Sequence, residues 1–136
     1  MSSIVSIATS GMSAASLRLE AVASNVANVS STGALPAAGG SLAPGAPSAY
    51  TPLVVDQVDV AGGGTAATVK AVSPATVAVS DPTAPYADKS GLVAAPNVDL
   101  SNEMIQLMVA RYTFAANAAV ARAGSQLTKT LVDTMV

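Results

Sequence analysis

Two carboxylates, Asp81 and Asp88, flank a proline-containing loop, and Lys89 follows directly. A carboxylate pair can pass a proton or hold a cation, but either use needs further ligands converging on it. The loop "SDPTAPYADKSG" supplies none, so both acids read as solvated loop carboxylates and Lys89 as a surface charge. Gly62-Gly63-Gly64 lacks the Lys-Ser/Thr and the following helix of a phosphate loop, and reads as a hairpin turn. Serines are plentiful, yet the sequence has no His, so a Ser-His-acid triad cannot form, and no motif supports a Ser–Lys pair. There is no Cys either, which removes disulfides and thiolate metal sites. Six Lys and Arg against a net charge of −2 leave no basic patch for nucleic acid. Tyr112 and Phe114 are the only aromatic cluster and read as core packing, in a core that can lie between chains. These residues argue against an enzyme, and no cofactor or metal is expected.

The elements that would carry any other function lie at the two ends. Val5, Ala8, Met12, Ala15, Leu19, Val22, Val26 and Val29 recur at alternating steps of three and four, the pattern of a narrow helical seam facing a partner. Asn25 and Asn28 stand one turn apart beside it, as helix-end asparagines or as amides that fix the register of neighbouring subunits. Ser30 to Gly33 stop the helix, with Gly33 able to take a left-handed backbone. The Pro/Gly/Ala stretch 34–49 reads as a flexible or extended loop. Val- and Thr-rich segments between 50 and 80 predict three short strands in a small antiparallel sheet. A second helix restarts near Asp99 or Ser101, which compete as N-cap; a Ser101 cap would bring Leu100 and Ile105 into a staple. Its apolar stripe runs through Leu100, Met104, Leu107, Phe114, Ala118 and Ala121, interrupted by Arg111, then drifts to Val120, Leu127, Leu131 and Met135. The expected fold is α+β: long terminal helices pairing as an antiparallel coiled coil, with a small antiparallel β insert between them. The expected segments are a helix over 1–33, a loop over 34–49, an insert with its proline loop over 50–96, and a helix over 97–136.

The apolar fraction is 51%, but aromatics are 3%, with one Phe and no Trp. Large side chains supply most hydrophobic stabilisation, so a self-sufficient core would be thin. Isolated helices are marginal in water. The terminal helices are therefore expected to be loosely ordered alone and to become fixed on assembly. The N-terminus "MSSIVSIATSGMSAAS" has neither a positive n-region nor a continuous apolar h-region, so no cleaved signal is expected, and no apolar run is long enough for a membrane span.

"SGMSAASLRLEAVASNVANVSSTG" resembles the N-terminal motif of bacterial flagellar axial proteins, with Arg18-Leu19 and Ser24-Asn25-Val26-Ala27-Asn28 in its conspicuous places. "PNVDLSNEMIQLMVARYTFAANAAV" is similar to their C-terminal motif through Asn97-Val98-Asp99, Glu103-Met104 and Phe114-Ala115-Ala116-Asn117. Asp81-Pro82, Pro85, Ala87-Asp88, Gly91, Val93 and Pro96-Asn97-Val98 resemble the loop of the C-type proximal-rod members. The resemblance implies a structural subunit of the proximal rod of the basal body, transmitting torque from motor to hook. It implies export by the flagellar type III apparatus and assembly in the periplasm. The implied partners are rod proteins of the B, F and G types, the adaptor between the MS ring and the rod, and copies of itself. Packing between subunits would then involve Met12, Ala15, Leu19, Val22, Asn25, Val26, Asn28, Val29, Asn97, Met104, Leu107, Phe114, Asn117, Leu127 and Leu131. The paralogous B-type proximal-rod protein is one alternative. A secreted protein lying on a membrane surface is another, although the Ser/Ala-rich polar face of the first helix is poorly suited to anionic headgroups. Limited proteolysis of the purified monomer should cut both ends and leave a resistant fragment near 50–95; uniform resistance through both termini would contradict folding coupled to assembly.

Overall fold

The computed structural model describes residues 2–36 and 40–134. Its elements are α1 (Ser2–Ala27), β1 (Leu53–Asp59), β2 (Thr65–Ala71), β3 (Thr76–Ser80), β4 (Leu92–Pro96) and α2 (Leu100–Thr134). The architecture is α+β: two long helices with small antiparallel β structure between them.

The helices form from small and straight side chains whose hydroxyls bond back into their own turns. Thr9 Oγ1 donates to Val5 O at 2.8 Å, and Thr128 Oγ1 to Gly124 O at 3.0 Å. Asp99 prevails as the N-cap of α2: its Oδ1 accepts from the N–H groups of Ser101 at 2.9 Å and Asn102 at 3.3 Å. With Asp99 as cap, Leu100 becomes the first helical residue, so the staple tied to a Ser101 cap is not the one that forms.

The two helices run antiparallel in a seven-residue register. Ile4 meets Gly124, Gly11 meets Asn117, and Asn25 meets Glu103. The approach is as close as glycine allows: a Cβ on Gly11 would stand 2.7 Å from the Asn117 amide, and one on Gly124 would stand 3.2 Å from Val5 Cγ2. Among the described residues, the buried apolar set is alanine apart from Val22, Val93 and the prolines Pro52 and Pro96.

The β structure departs from the expected single sheet. It comprises two separate two-stranded hairpins, β1–β2 in register from Leu53↔Ala71 to Asp59↔Thr65, and β3–β4 from Thr76↔Pro96 to Ser80↔Leu92. β4, "LVAAP", was hidden in the sequence because Val93, Ala94 and Pro96 are all buried, which erases the alternation of a half-exposed strand. The β1–β2 hairpin lies on α1. Its turn, Gly62-Gly63-Gly64, has φ of 94°, 99° and 96°, and Ser10 Oγ accepts from Thr65 N–H at 3.1 Å. On the outer face, Lys70 pairs with Asp56 and holds that carboxyl below its ordinary range, an exposed contact of little consequence for stability.

Gly33 ties the end of α1 to β4. Its N–H donates to Ala94 O and its carbonyl accepts from Ala94 N–H, both at 2.9 Å. It is not in the left-handed region; what demands glycine is crowding, since a Cβ would stand 2.3 Å from Ala49 N and 2.6 Å from Pro47 O. Ala34 N–H donates to Pro47 O at 2.8 Å, so the Pro/Gly/Ala segment leaves and returns at one point. Because the β1–β2 hairpin leans on α1, the fragment protected from proteases should extend into the second half of that helix. Gly33→Ala should lower stability by about 2 kcal/mol and open 34–49 to cleavage, read by urea unfolding and timed proteolysis; unchanged behaviour in both would refute the crowding account.

Candidate functional site

The features that distinguish this chain are an internal lock at Asn25 and a helix flank left bare. Asn25, 1% exposed, fills every hydrogen-bonding position of its amide. Nδ2 donates to Leu53 O and to Glu103 Oε1, each at 2.8 Å. Oδ1 accepts from Leu53 N–H at 2.8 Å and lies 3.1 Å from the Tyr50 hydroxyl. That hydroxyl is also 2.8 Å from Ser24 Oγ, so the two hydroxyl protons can serve both contacts. One side chain thus pairs with the peptide groups of β1 and clamps the first turn of α2. Asn28 bonds within its own helix, donating to Ser24 O at 2.8 Å. The amide of Asn25 sets register inside the chain and has no capacity left for a neighbour.

Seven residues back along α1, Arg18 donates to Gln57 Oε1 of β1. Gly11, seven further back, receives Asn117, whose Nδ2 donates to Thr113 O at 2.9 Å. Gly11, Arg18 and Asn25 therefore mark the line on α1 that runs between the hairpin and α2. Across it, the α2 face turned to α1 is polar or small: Glu103, Gln106, Ala110, Thr113, Asn117, Ala121 and Gly124 are its buried or half-buried residues.

The large side chains of the apolar stripe expected to join the helices lie elsewhere. Met12, Leu19 and Val26 each follow the Gly11–Arg18–Asn25 line by one residue and turn away from the hairpin. Leu107 and Phe114 follow Glu103 and Ala110 by four, with Leu100 a further seven back. Because the helices are antiparallel, these offsets turn both rows to one side of the pair. Met12 and Leu19 are half-buried there, while Val26, Leu100, Leu107 and Phe114 are exposed. The hairpin packs on α1 from the opposite side. Of the remaining sequence-derived residues, Ala15 and Val22 are buried, Val29 and Asn117 half-buried, and Asn97 and Met104 exposed. Asn97 donates its amide to Pro74 O at 3.0 Å, and Leu127 and Leu131 are exposed on the last turns of α2. Met135 lies outside the described residues. Tyr112, 73% exposed, and Phe114, 39% exposed, are not in this chain's core.

The loop acids Asp81 and Asp88 are engaged locally. Asp81 Oδ1 accepts from Thr83 Oγ1 at 2.7 Å, and Asp88 Oδ1 from the N–H groups of Ser90 at 2.7 Å and Leu92 at 2.9 Å, so both acids brace their own loop. Sequence reasoning missed that bracing role; its signal is an Asp two residues before Thr83 and another two before Ser90. No cluster of potential metal ligands occurs among the described residues, nor a helix long and apolar enough to cross a membrane.

A helix pair locked internally and apolar externally defines a structural subunit of a multi-chain assembly. Residues 6–34 match the model described as flagella basal body rod protein, and residues 89–134 that of the flagellar basal body rod FlgEFG protein C-terminal region. The flagellar basal-body rod protein FlgC of Salmonella typhimurium strain LT2 is 36% identical over 120 residues, spanning 84% of this chain and 82% of that protein. FlgC of Salmonella typhi matches to the same extent. The chain belongs to the flagellar basal-body rod protein family, and is a structural protein rather than an enzyme. Asn25→Ala would strand Leu53 N–H and O and Glu103 in a buried site; it should cost about 3 kcal/mol, whereas Asn28→Ala should cost under about 1 kcal/mol. Thermal unfolding followed by circular dichroism would measure both, and equal losses would rule out the lock.

Proposed function

We propose that this chain is a C-type subunit of the proximal rod, sharing the basal body with rod proteins of the B, F and G types and with the adaptor to the MS ring. The observation that carries the reading is the bare flank: two rows of apolar residues at seven-residue spacing, one from each end of the chain, on the side the hairpin leaves uncovered. A third helix laid along it completes a coiled-coil bundle, as apolar rows at this spacing do. The internal seam buries chiefly alanine, so much of the stabilisation open to the helices lies in contacts with neighbours. Their ordering is then coupled to assembly. Delivery is by the flagellar type III export apparatus into the periplasm, for which loosely held helices suit a narrow channel. Torque passes between subunits because sliding one helix past another would expose both apolar rows to water.

The test is a strain whose own rod subunit is replaced by this chain. Leu107→Ser combined with Phe114→Ser should leave the thermal unfolding of the isolated protein within about 1 kcal/mol. In cells, the double variant should reduce swarming on soft agar to that of a deletion strain, while Val58→Ser on the outer face of the hairpin should not. Full motility of the double variant would refute the docking role of the flank.

A further inference from the structure

The apolar stripe of α2 changes sides partway along the helix. Leu107 and Phe114 follow the α1-facing residues Glu103 and Ala110 by four and turn to the bare flank. Val120 and Leu127 follow Asn117 and Gly124 by three, and so turn to the other side, with Leu131 one turn further on. All three later residues are exposed, Leu127 by 60%. One molecule therefore carries a two-helix apolar groove on one side and a single-helix apolar ridge on the other, at different heights.

We propose that the Val120–Leu127–Leu131 ridge of one copy occupies the bare flank of a second copy, between Leu19 of its α1 and Leu107 of its α2. This rests on the rod-subunit reading and names the occupant of the flank described there. The ridge is a helical i, i+7, i+11 row, the spacing that fits a groove whose two walls repeat every seven residues. Groove and ridge lie on opposite sides of the same molecule, so the contact is heterologous: each copy uses its ridge on one neighbour and offers its groove to the next. Such a contact propagates around or along an axis and does not close as a two-fold dimer. The centre of the ridge is about 20 residues along α2 from Leu107, so successive copies would be staggered by roughly 30 Å at about 1.5 Å per residue.

The sequence has no Cys, so single cysteines report one contact each. The protein carrying both Leu107→Cys and Leu127→Cys would be produced in the replacement strain and oxidised in isolated basal bodies. A ladder of self-crosslinked chains is expected from the double variant. Mixed single variants of the purified protein should give the 107–127 heterodimer several-fold over either homodimer. Val58→Cys, on the outer face of the hairpin, in place of Leu127→Cys should give neither. Three results would overturn the proposal: crosslinks only to a different rod protein, a dominant 127–127 homodimer, or no crosslink from chains that are present in the basal bodies. In the last case the rod reading survives; absence of the unsubstituted chain from basal bodies would remove that reading as well.

Discussion

A buried side-chain amide must find partners for two donors and two acceptor lone pairs, and Asn25 finds all of them where it bridges β1 and α2. Everything else in the chain is placed relative to that point. The pairing with Leu53 sets where β1 begins on α1, and the bond to Glu103 sets which turn of α2 lies opposite. Once Asn25 and Glu103 are in register, the seven-residue repeat carries Gly11 to Asn117 and Ile4 to Gly124 without further adjustment. A shift by one residue along α1 would leave the amide unpaired in a buried site and set Ser10 or Met12 against the Asn117 amide in place of Gly11.

That arrangement explains why the seam inside the chain is so modest. Polar specificity at Asn25 and close approach at glycine and alanine define the geometry of the pair but bury little apolar area. The large side chains are turned outward, on the bare flank, the ridge near the end of α2, and the outer face around Met104, Met108 and Tyr112. A protein meant to work alone would be expected to do the reverse. In a rod subunit the division is sensible: the internal contacts choose one shape, and the external ones hold it among its neighbours.

The β structure serves the same end. The β1–β2 hairpin covers α1 on the side away from the bare flank. The β3–β4 hairpin, through Gly33 and the self-braced loop from Asp81 to Asp88, fixes where α1 ends and where α2 starts. Both acids that first suggested chemistry turn out to hold backbone amides, which is why neither gathers further ligands.

The sequence by itself determined the two helices, the hairpin turn at Gly62 to Gly64, the lack of His and Cys, and the family, through "RLEAVASNVAN" and the paired motif near Phe114. These are local properties: periodicity, turn chemistry and residue type do not depend on distant partners. Tertiary structure alone decided which residues of each helix face each other. Of the seam read from α1, Ala8, Ala15 and Val22 are buried, but the companion row is Gly11, Arg18 and Asn25, one residue before Met12, Leu19 and Val26. Periodicity marks a face as apolar without saying whether its partner belongs to the same chain. Here packing gave the inner position to side chains that are small or hydrogen-bonded, because only those let α1 approach α2 closely on one side and the hairpin on the next.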